Sequence, residues 1–336
     1  MKRICLAAGC CAAAIAGAAG ANAQTLNLTS NLSPSHAVAS AGIEPFMDCV
    51  KTASSGAIDF KYFPSSQIAS VSEALDAVNM GLADVGFIAI TALPEKFPLN
   101  SLSVLPGMGD TVTELVTSYS AVLDGDGPLA QEVRDNRIVP LMTIMFPTYQ
   151  VMMTGKFDPA NASLKGKKIN VLGGIQTMIV SSMGGTPIDM PAGDFYMSLE
   201  RGVSDGVILS YPSADSYSLD EVVKSISNNV SLGSAAALLS ISLEDWEQFS
   251  EDKQKILLDC GRQQESVLAA HLDETDGQLK QQFAASGVES FAFPDDVRAE
   301  IMAGAQQVVN DYIERLEFRG LPGKEAYESY RAVIDQ

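Results

Sequence analysis

The chain has few of the residues that build metal and nucleophile sites. Its 336 residues include two histidines, five cysteines and one tryptophan. His36 and His271 stand far apart and there is no C-x-x-C, so a tetrahedral zinc site has no ligand set. No phosphate loop, dinucleotide fingerprint or H-E-x-x-H occurs, and no nucleophile elbow is read. The pattern therefore predicts no metal, no cofactor and no catalysis. Basic residues are also scarce, with 22 Lys and Arg against 41 Asp and Glu and a net charge of −19. Such a field disfavours nucleic acid and anionic membrane surfaces. Beyond Ala23 no apolar run is long enough to span a bilayer.

The first 23 residues read as a cleaved export signal: Lys2 and Arg3, an Ala- and Gly-rich apolar run from Ile4 to Ala21, then Ala21-Asn22-Ala23. A lipoprotein signal at Cys10 lacks the usual leucine and leaves almost no apolar region. Cleavage after Ala23 predicts a periplasmic chain from Gln24 to Gln336, long enough for two lobes. Cys5, Cys10 and Cys11 would leave with the signal. Cys49 and Cys260 remain, and an oxidising compartment permits a bridge between them. Both lie on apolar faces of expected helices, which favours two buried free thiols.

Thr25–Leu32 alternates like a strand, 37–53 reads as a helix and 57–63 alternates again. A capping-box start at Ser70-Val71-Ser72-Glu73 opens a helix that Gly81 ends, and the strand 84–90 follows. This β-α-β-α-β order implies a mostly parallel sheet covered by helices. A second α/β region has strands at 138–145, 149–154, 168–172, 187–190 and 206–210, with helices at 175–183 and 194–201. Residues 250 to about 286 are helical almost without a break, too long for one small lobe, so the helix should bridge two. Another helix is expected at about 296–315. One echo links the regions: EALDAVNMGLADVGF (73–87) parallels DFYMSLERGVSDGVI (194–208). In each, an acid opens a helix, a glycine closes it and an aspartate leads into a buried strand. Two similar half-sheets imply a ligand cleft between them, outside the carboxyl ends of the strands.

Four stretches carry a resemblance to a known family. Pro64-Ser65-Ser66-Gln67-Ile68 precedes Glu73-x4-Val78-x2-Gly81-x2-Asp84. Leu164-Lys165-Gly166-Lys167-Lys168-Ile169 matches an L-K-G-x-K-I segment. Gly185-Thr186-Pro187-Ile188 and Asp194-x-Tyr196-x2-Leu199-x2-Gly202-Val203-x-Asp205-Gly206 complete the series, and the long helix and the terminal helices fit in order. The mature chain resembles the extracytoplasmic solute-binding proteins of TRAP transporters, the DctP-like family. The resemblance implies an α/β fold of two lobes, a periplasmic-binding-protein fold with a ligand cleft between lobes and a long helix across both. Lobe I is expected at 24–147 plus about 231–260, and lobe II at 148–230 plus about 261–336. The resemblance also implies a small organic solute, closure on binding, and delivery to a membrane permease of two integral subunits, without catalysis. A monomer suits such a shuttle.

In most members an arginine after the K-I step grips a substrate carboxylate two-pronged. Here that position is Asn170. The place of a second basic residue falls near Tyr149 and Gln150, also neutral. Lys156, Lys165, Lys167 and Lys168 read as solvated, although Lys168 shares a strand face with Asn170. Candidate companions of Asn170 are His36, Phe87, Ala89, Tyr149, Gln150, Ser210 and Tyr211, with Asp194 read as a helix cap before a ligand contact. Without the arginine, a neutral, zwitterionic or cationic solute is favoured over a simple dicarboxylate. The alternatives are an organic acid gripped by other residues and a protein that presents its ligand to a membrane sensor.

Overall fold

The computed structural model describes residues 24–335; the expected export signal and its cleavage site lie outside the described residues. The first half begins with β1 (Gln24–Thr29), α1 (Glu44–Ala53), β2 (Ile58–Phe63), α2 (Ala74–Asn79) and β3 (Val85–Ala89). It continues through α3 (Val112–Leu123), α4 (Pro128–Asp135) and β4 (Ile138–Met145). The second half has β5 (Gln150–Met153), β6 (Lys168–Val171), α5 (Gly174–Ser182), β7 (Thr186–Asp189), α6 (Phe195–Glu200), β8 (Gly206–Leu209), α7 (Tyr211–Ser216) and β9 (Ser225–Ser227). The chain then returns through β10 (Ala236–Ser242), α8 (Leu243–Gln248), α9 (Glu251–Ala285), β11 (Glu289–Phe291), α10 (Asp295–Phe318) and α11 (Gly323–Ile334).

Two sheets result. One has the order β2-β1-β3-β10-β4 and the other β11-β9-β5-β8-β6-β7. β1, β2 and β3 are parallel, as the β-α-β pattern requires. β10, which the sequence pattern did not reveal, inserts antiparallel between β3 and β4. All seven of its residues are buried, so neither face shows the alternation that marks a half-exposed strand. The chain thus crosses between sheets after β4 and again before β10.

α9 is the element common to both halves, 35 residues and about 50 Å long at the usual rise. Its buried residues Leu257, Gly261, Leu268 and Leu272 form a stripe at helical spacing. Gly261 lets the helix lie directly on β4, because any Cβ there would overlap the Leu141 carbonyl. Glu265, buried in this seam, accepts from the Thr143 N–H and, at 3.0 Å, from the Ser120 hydroxyl, and pairs with Arg262. Asp273 accepts from the N–H groups of Val112 and Thr113 and so caps α3. Cys49 and Cys260 are not free thiols: they form a disulfide that joins α1 to α9. Their apolar helix faces meet each other, a pairing that one-dimensional periodicity does not encode. At its other end α9 places Phe283 edge-on to Tyr211, with centroids 5.5 Å apart.

α10 packs on α5, whereas α11 packs on α3 and α4. The last helix therefore rests against the first half, although the expected second lobe ran through to 336. No described helix is long and apolar enough to cross a membrane.

Candidate ligand-binding site

The carboxyl ends of the two sheets face each other and touch. β3 runs out into Thr91, and β6 runs out into Gly173. Gly173 has φ +85°, and a Cβ on it would sit 2.5 Å from the Thr91 carbonyl, so only glycine allows this approach. A second contact joins the halves where Ser216 of α7 accepts from the Ala37 N–H at 3.4 Å.

His36 stands at this seam, ahead of a π-helical turn at Ala39–Ile43 that leads into α1. Its ring is edge-on to Tyr217 at 5.6 Å and to Phe146 at 6.2 Å. Its Nδ1 accepts from the Val38 N–H at 3.1 Å, so a neutral ring carries its proton on Nε2. Burial lowers its pKa to about 4, which keeps it neutral near pH 7. Burial also pushes the Tyr217 hydroxyl up to about 12 and raises Tyr149, which lies beside Tyr217 and the Gln176 amide. Gln176 accepts from the Leu172 N–H at 2.6 Å through Oε1, and its amide faces the Tyr149 hydroxyl without a well-formed hydrogen bond from Nε2. Rings and neutral polar groups from both halves thus converge, and no Lys or Arg stands among them.

Two cavities lie at the start of α5, and the inner one reaches the cluster through Gln176. An inner one of about 30 Å³ lies between Thr91 and Ser234 on one side and Leu172, Ile175 and Gln176 on the other. An outer one of about 650 Å³ is walled by Pro94, Glu95, Arg315 and Arg319, and Gly174 borders both. Among the described residues no three His, Cys, Asp or Glu side chains converge in a way that could hold a metal ion.

The structure divides the residues singled out from the sequence. His36 and Tyr149 belong to the cluster. Gln150 is consumed within the second half: its Nε2 donates to the Val230 carbonyl at 2.6 Å and its Oε1 accepts from Ser227 at 2.9 Å. Tyr211 packs under α9 and donates to the Ser227 carbonyl, and Ser210 donates to Ser213 at 3.0 Å. Phe87 and Ala89 are buried on β3, opposite Leu239 and Ala237 of β10. Asp194 is exposed and makes no side-chain cap to α6, against the helix-cap expectation, because the preceding residues wind into a 3₁₀ turn. Asn170 is fully buried, its Oδ1 accepting from Ser198 of α6 at 3.3 Å and its Nδ2 unpaired. Lys156, Lys165, Lys167 and Lys168 are all exposed.

Tyr217, Phe146, Gln176 and Ser234 were missed. Tyr217, Phe146 and Gln176 follow a strand or helix end by a few residues and Ser234 precedes β10 by two, which is the only sequence signal they carry. Gly202-Val203-Ser204-Asp205-Gly206 does spell G-x-S-x-G. It runs from helix to strand, the reverse of a nucleophile elbow, and Ser204 is buried against Ser198 at 2.9 Å.

Comparison with known proteins gives a consistent outcome. The family described as DctP, bacterial extracellular solute-binding protein, family 7, matches residues 29–315. An outer membrane transporter protein, TsaT, of Comamonas testosteroni is 23% identical over 98% of this chain and 97% of its own. A marine metagenome TRAP solute-binding protein specific for aromatic acid ligands, solved with metahydroxyphenylacetate, superposes with a TM-score of 0.86 at 19% identity, covering 93% of this chain and 98% of the other. A TRAP periplasmic solute-binding protein from Bordetella bronchiseptica with bound mandelate gives 0.83 at 24% identity, covering 93% and 99%. One from Rhodoferax ferrireducens with copurified benzoate gives 0.85 at 21% identity, covering 93% and 97%.

Proposed function

Because the chain belongs to family 7 of the bacterial extracellular solute-binding proteins, periplasmic receptors that work with membrane permeases, we propose that it captures a small ring-bearing polar solute between its two sheets. It would deliver that solute, as a monomer exported after Ala23, to a permease of two integral subunits. The observation that carries the reading is the contact of His36 with Tyr217 across the seam, backed by Tyr149 and the half-paired Gln176. Groups from both halves must come together to make it, and a ligand bridging them favours the closed form. We place the cleft between a first lobe built on the β1 sheet and a second built on the β5 sheet.

The cluster contains no guanidinium or ammonium, which supports a solute that needs no side-chain counter-ion. Neutral, zwitterionic and cationic solutes meet that condition. A second reading, an organic acid gripped by other groups, is supported by the carboxylates bound in the related structures.

Native mass spectrometry of the purified protein, followed by calorimetric titration of the copurified solute, tests the proposal. Replacing His36→Ala or Tyr217→Ala should weaken that solute at least tenfold. Unchanged affinity in both variants would remove the seam as the binding site.

A further inference from the structure

Three residues line both the outer and the inner cavity: Pro94, Gly174 and Tyr312. The outer cavity, about 650 Å³, meets solvent between the exposed Glu95, Arg315, Phe318 and Arg319. The inner one, about 30 Å³, lies among the buried Ser101, Val104, Ile175, Gln176 and Ser234. Such a volume holds a water or two and no ring. The three shared residues therefore frame the passage from solvent to the seam. Pro94 comes from the first half, Gly174 from the second, and Tyr312 from α10, which belongs to neither sheet.

Elementary chemistry decides which of the three can move. Proline is locked by its own ring, and glycine has no side chain. Tyr312 alone carries a side chain that can change rotamer, so its ring sets the width of the passage. One neutral hydrogen bond holds that ring: the hydroxyl donates to the Pro98 carbonyl at 2.9 Å. The frame around it is braced. Arg319 pairs with Glu95 at 3.3 Å, which ties the loop carrying Pro94 to α10. α10 in turn packs on α5, whose first residue is Gly174. One turn beyond Tyr312, Leu316 packs so closely on Gly323 that a Cβ there would lie 2.6 Å from it. The backbone of Tyr312 is thus anchored while its ring is held at one point.

We propose that Tyr312 is a gate whose ring closes the passage while its hydroxyl is hooked on Pro98 and swings aside to let the solute in and out. The inference rests on the receptor reading above and adds to it a residue that sets the rate of exchange. How tightly the solute is held is left to the residues of the seam.

The test uses the full mature chain and follows the copurified solute by stopped-flow. A gate alters a barrier, so association and dissociation rates change by one factor and Kd stays the same. Tyr312→Ala should raise both rates about tenfold, and Tyr312→Phe, which keeps the ring and loses the hook, about threefold. Gly174→Leu should lower both about tenfold, since a Cβ at this position meets nothing within 4 Å and the side chain would project into the passage. Unliganded melting curves report whether each variant folds. A second readout needs no solute: hydrogen exchange at the Ile175 and Gln176 N–H groups, which have no backbone acceptor, should quicken in Tyr312→Ala and slow in Gly174→Leu. A rise in dissociation alone would make Tyr312 a solute contact and overturn the gate. So would rates unchanged in every folded variant, which would mean that the solute enters only when the halves separate. If no solute copurifies, the receptor reading loses its support, and equal exchange in wild type and variants would still overturn the gate.

Discussion

In the first sheet Asp84 accepts from the Asn27 N–H at 2.6 Å and returns its own N–H to the Asn27 carbonyl at 2.9 Å. In the second, Asp205 does the same with Lys168, at 2.8 and 2.7 Å. Gly81 (φ +72°) and Gly202 (φ +67°) make the turns that bring the two aspartates into place. The registers correspond as well. Thr29 lies opposite Gly86, and Asn170 opposite Val207, each one step beyond the matching pair. The half-units therefore share a frame, but their filling differs. α6 and its turn present Ser198 and Ser204 to Asn170, whereas the corresponding residues of the first half are Ala77 and Ala83. Both strand residues nonetheless keep one buried polar atom unpaired, Thr29 Oγ1 and Asn170 Nδ2. The aspartate and glycine that set the turn are shared, while the side chains beneath the helix are free to diverge.

The halves also differ in how α9 holds them. On the first it lies against the backbone of β4 at Gly261 and is joined to α1 by the disulfide; on the second it makes ring contacts at Tyr211. Gly261→Ala should therefore be the most damaging small substitution, costing about 4 kcal/mol, because the obstacle is backbone that cannot step aside. Urea unfolding would measure it. A loss below about 1 kcal/mol would mean that α9 can lift off β4, and that the asymmetry between the halves is shallow.

Removing the shared aspartates asks whether the frames are energetically alike. Asp84→Ala and Asp205→Ala should each cost about 2 kcal/mol, the range for a hydrogen bond to a charged group. Each should also speed amide exchange at its own partner, Asn27 or Lys168. Far apart and with no shared partner, the two losses should add. A large loss at one aspartate and none at the other would reduce the echo to a likeness of lettering.

Much of this frame is legible in the sequence, because the helix–glycine–aspartate–strand order is local and each residue type has one physical task there. The long helix and the parallel strands follow from periodicity for the same reason. What is not legible depends on which surfaces meet. β10 is buried throughout, Ser240 and Ser242 included, so no face of it is marked as solvent-exposed. The disulfide needs α1 laid against α9. Tyr217 and Gln176 reach the seam only because two sheets close end to end. Asn170 stands out in the sequence only against a family pattern, and its partner Ser198 lies 28 residues away on a helix.

Copying the first half's filling into the second gives the smallest expected effect. Ser198→Ala alone would leave both ends of the buried Asn170 amide unpaired and should cost about 1 kcal/mol. Asn170→Thr with Ser198→Ala and Ser204→Ala recreates Thr29, Ala77 and Ala83 and removes the hydroxyls together with the amide. That triple variant should stay within about 1 kcal/mol of the wild type, because it exchanges one buried unpaired polar atom, the Asn170 Nδ2, for another, a threonine hydroxyl placed as at Thr29. Titrating the copurified solute into it then separates two roles for Asn170. If the amide serves only the serines beneath α6, affinity is unchanged, and Asn170 says nothing about what is carried. If affinity falls tenfold while stability holds, the unpaired Nδ2 is a solute contact, and the second half has turned a shared structural position into a recognition group.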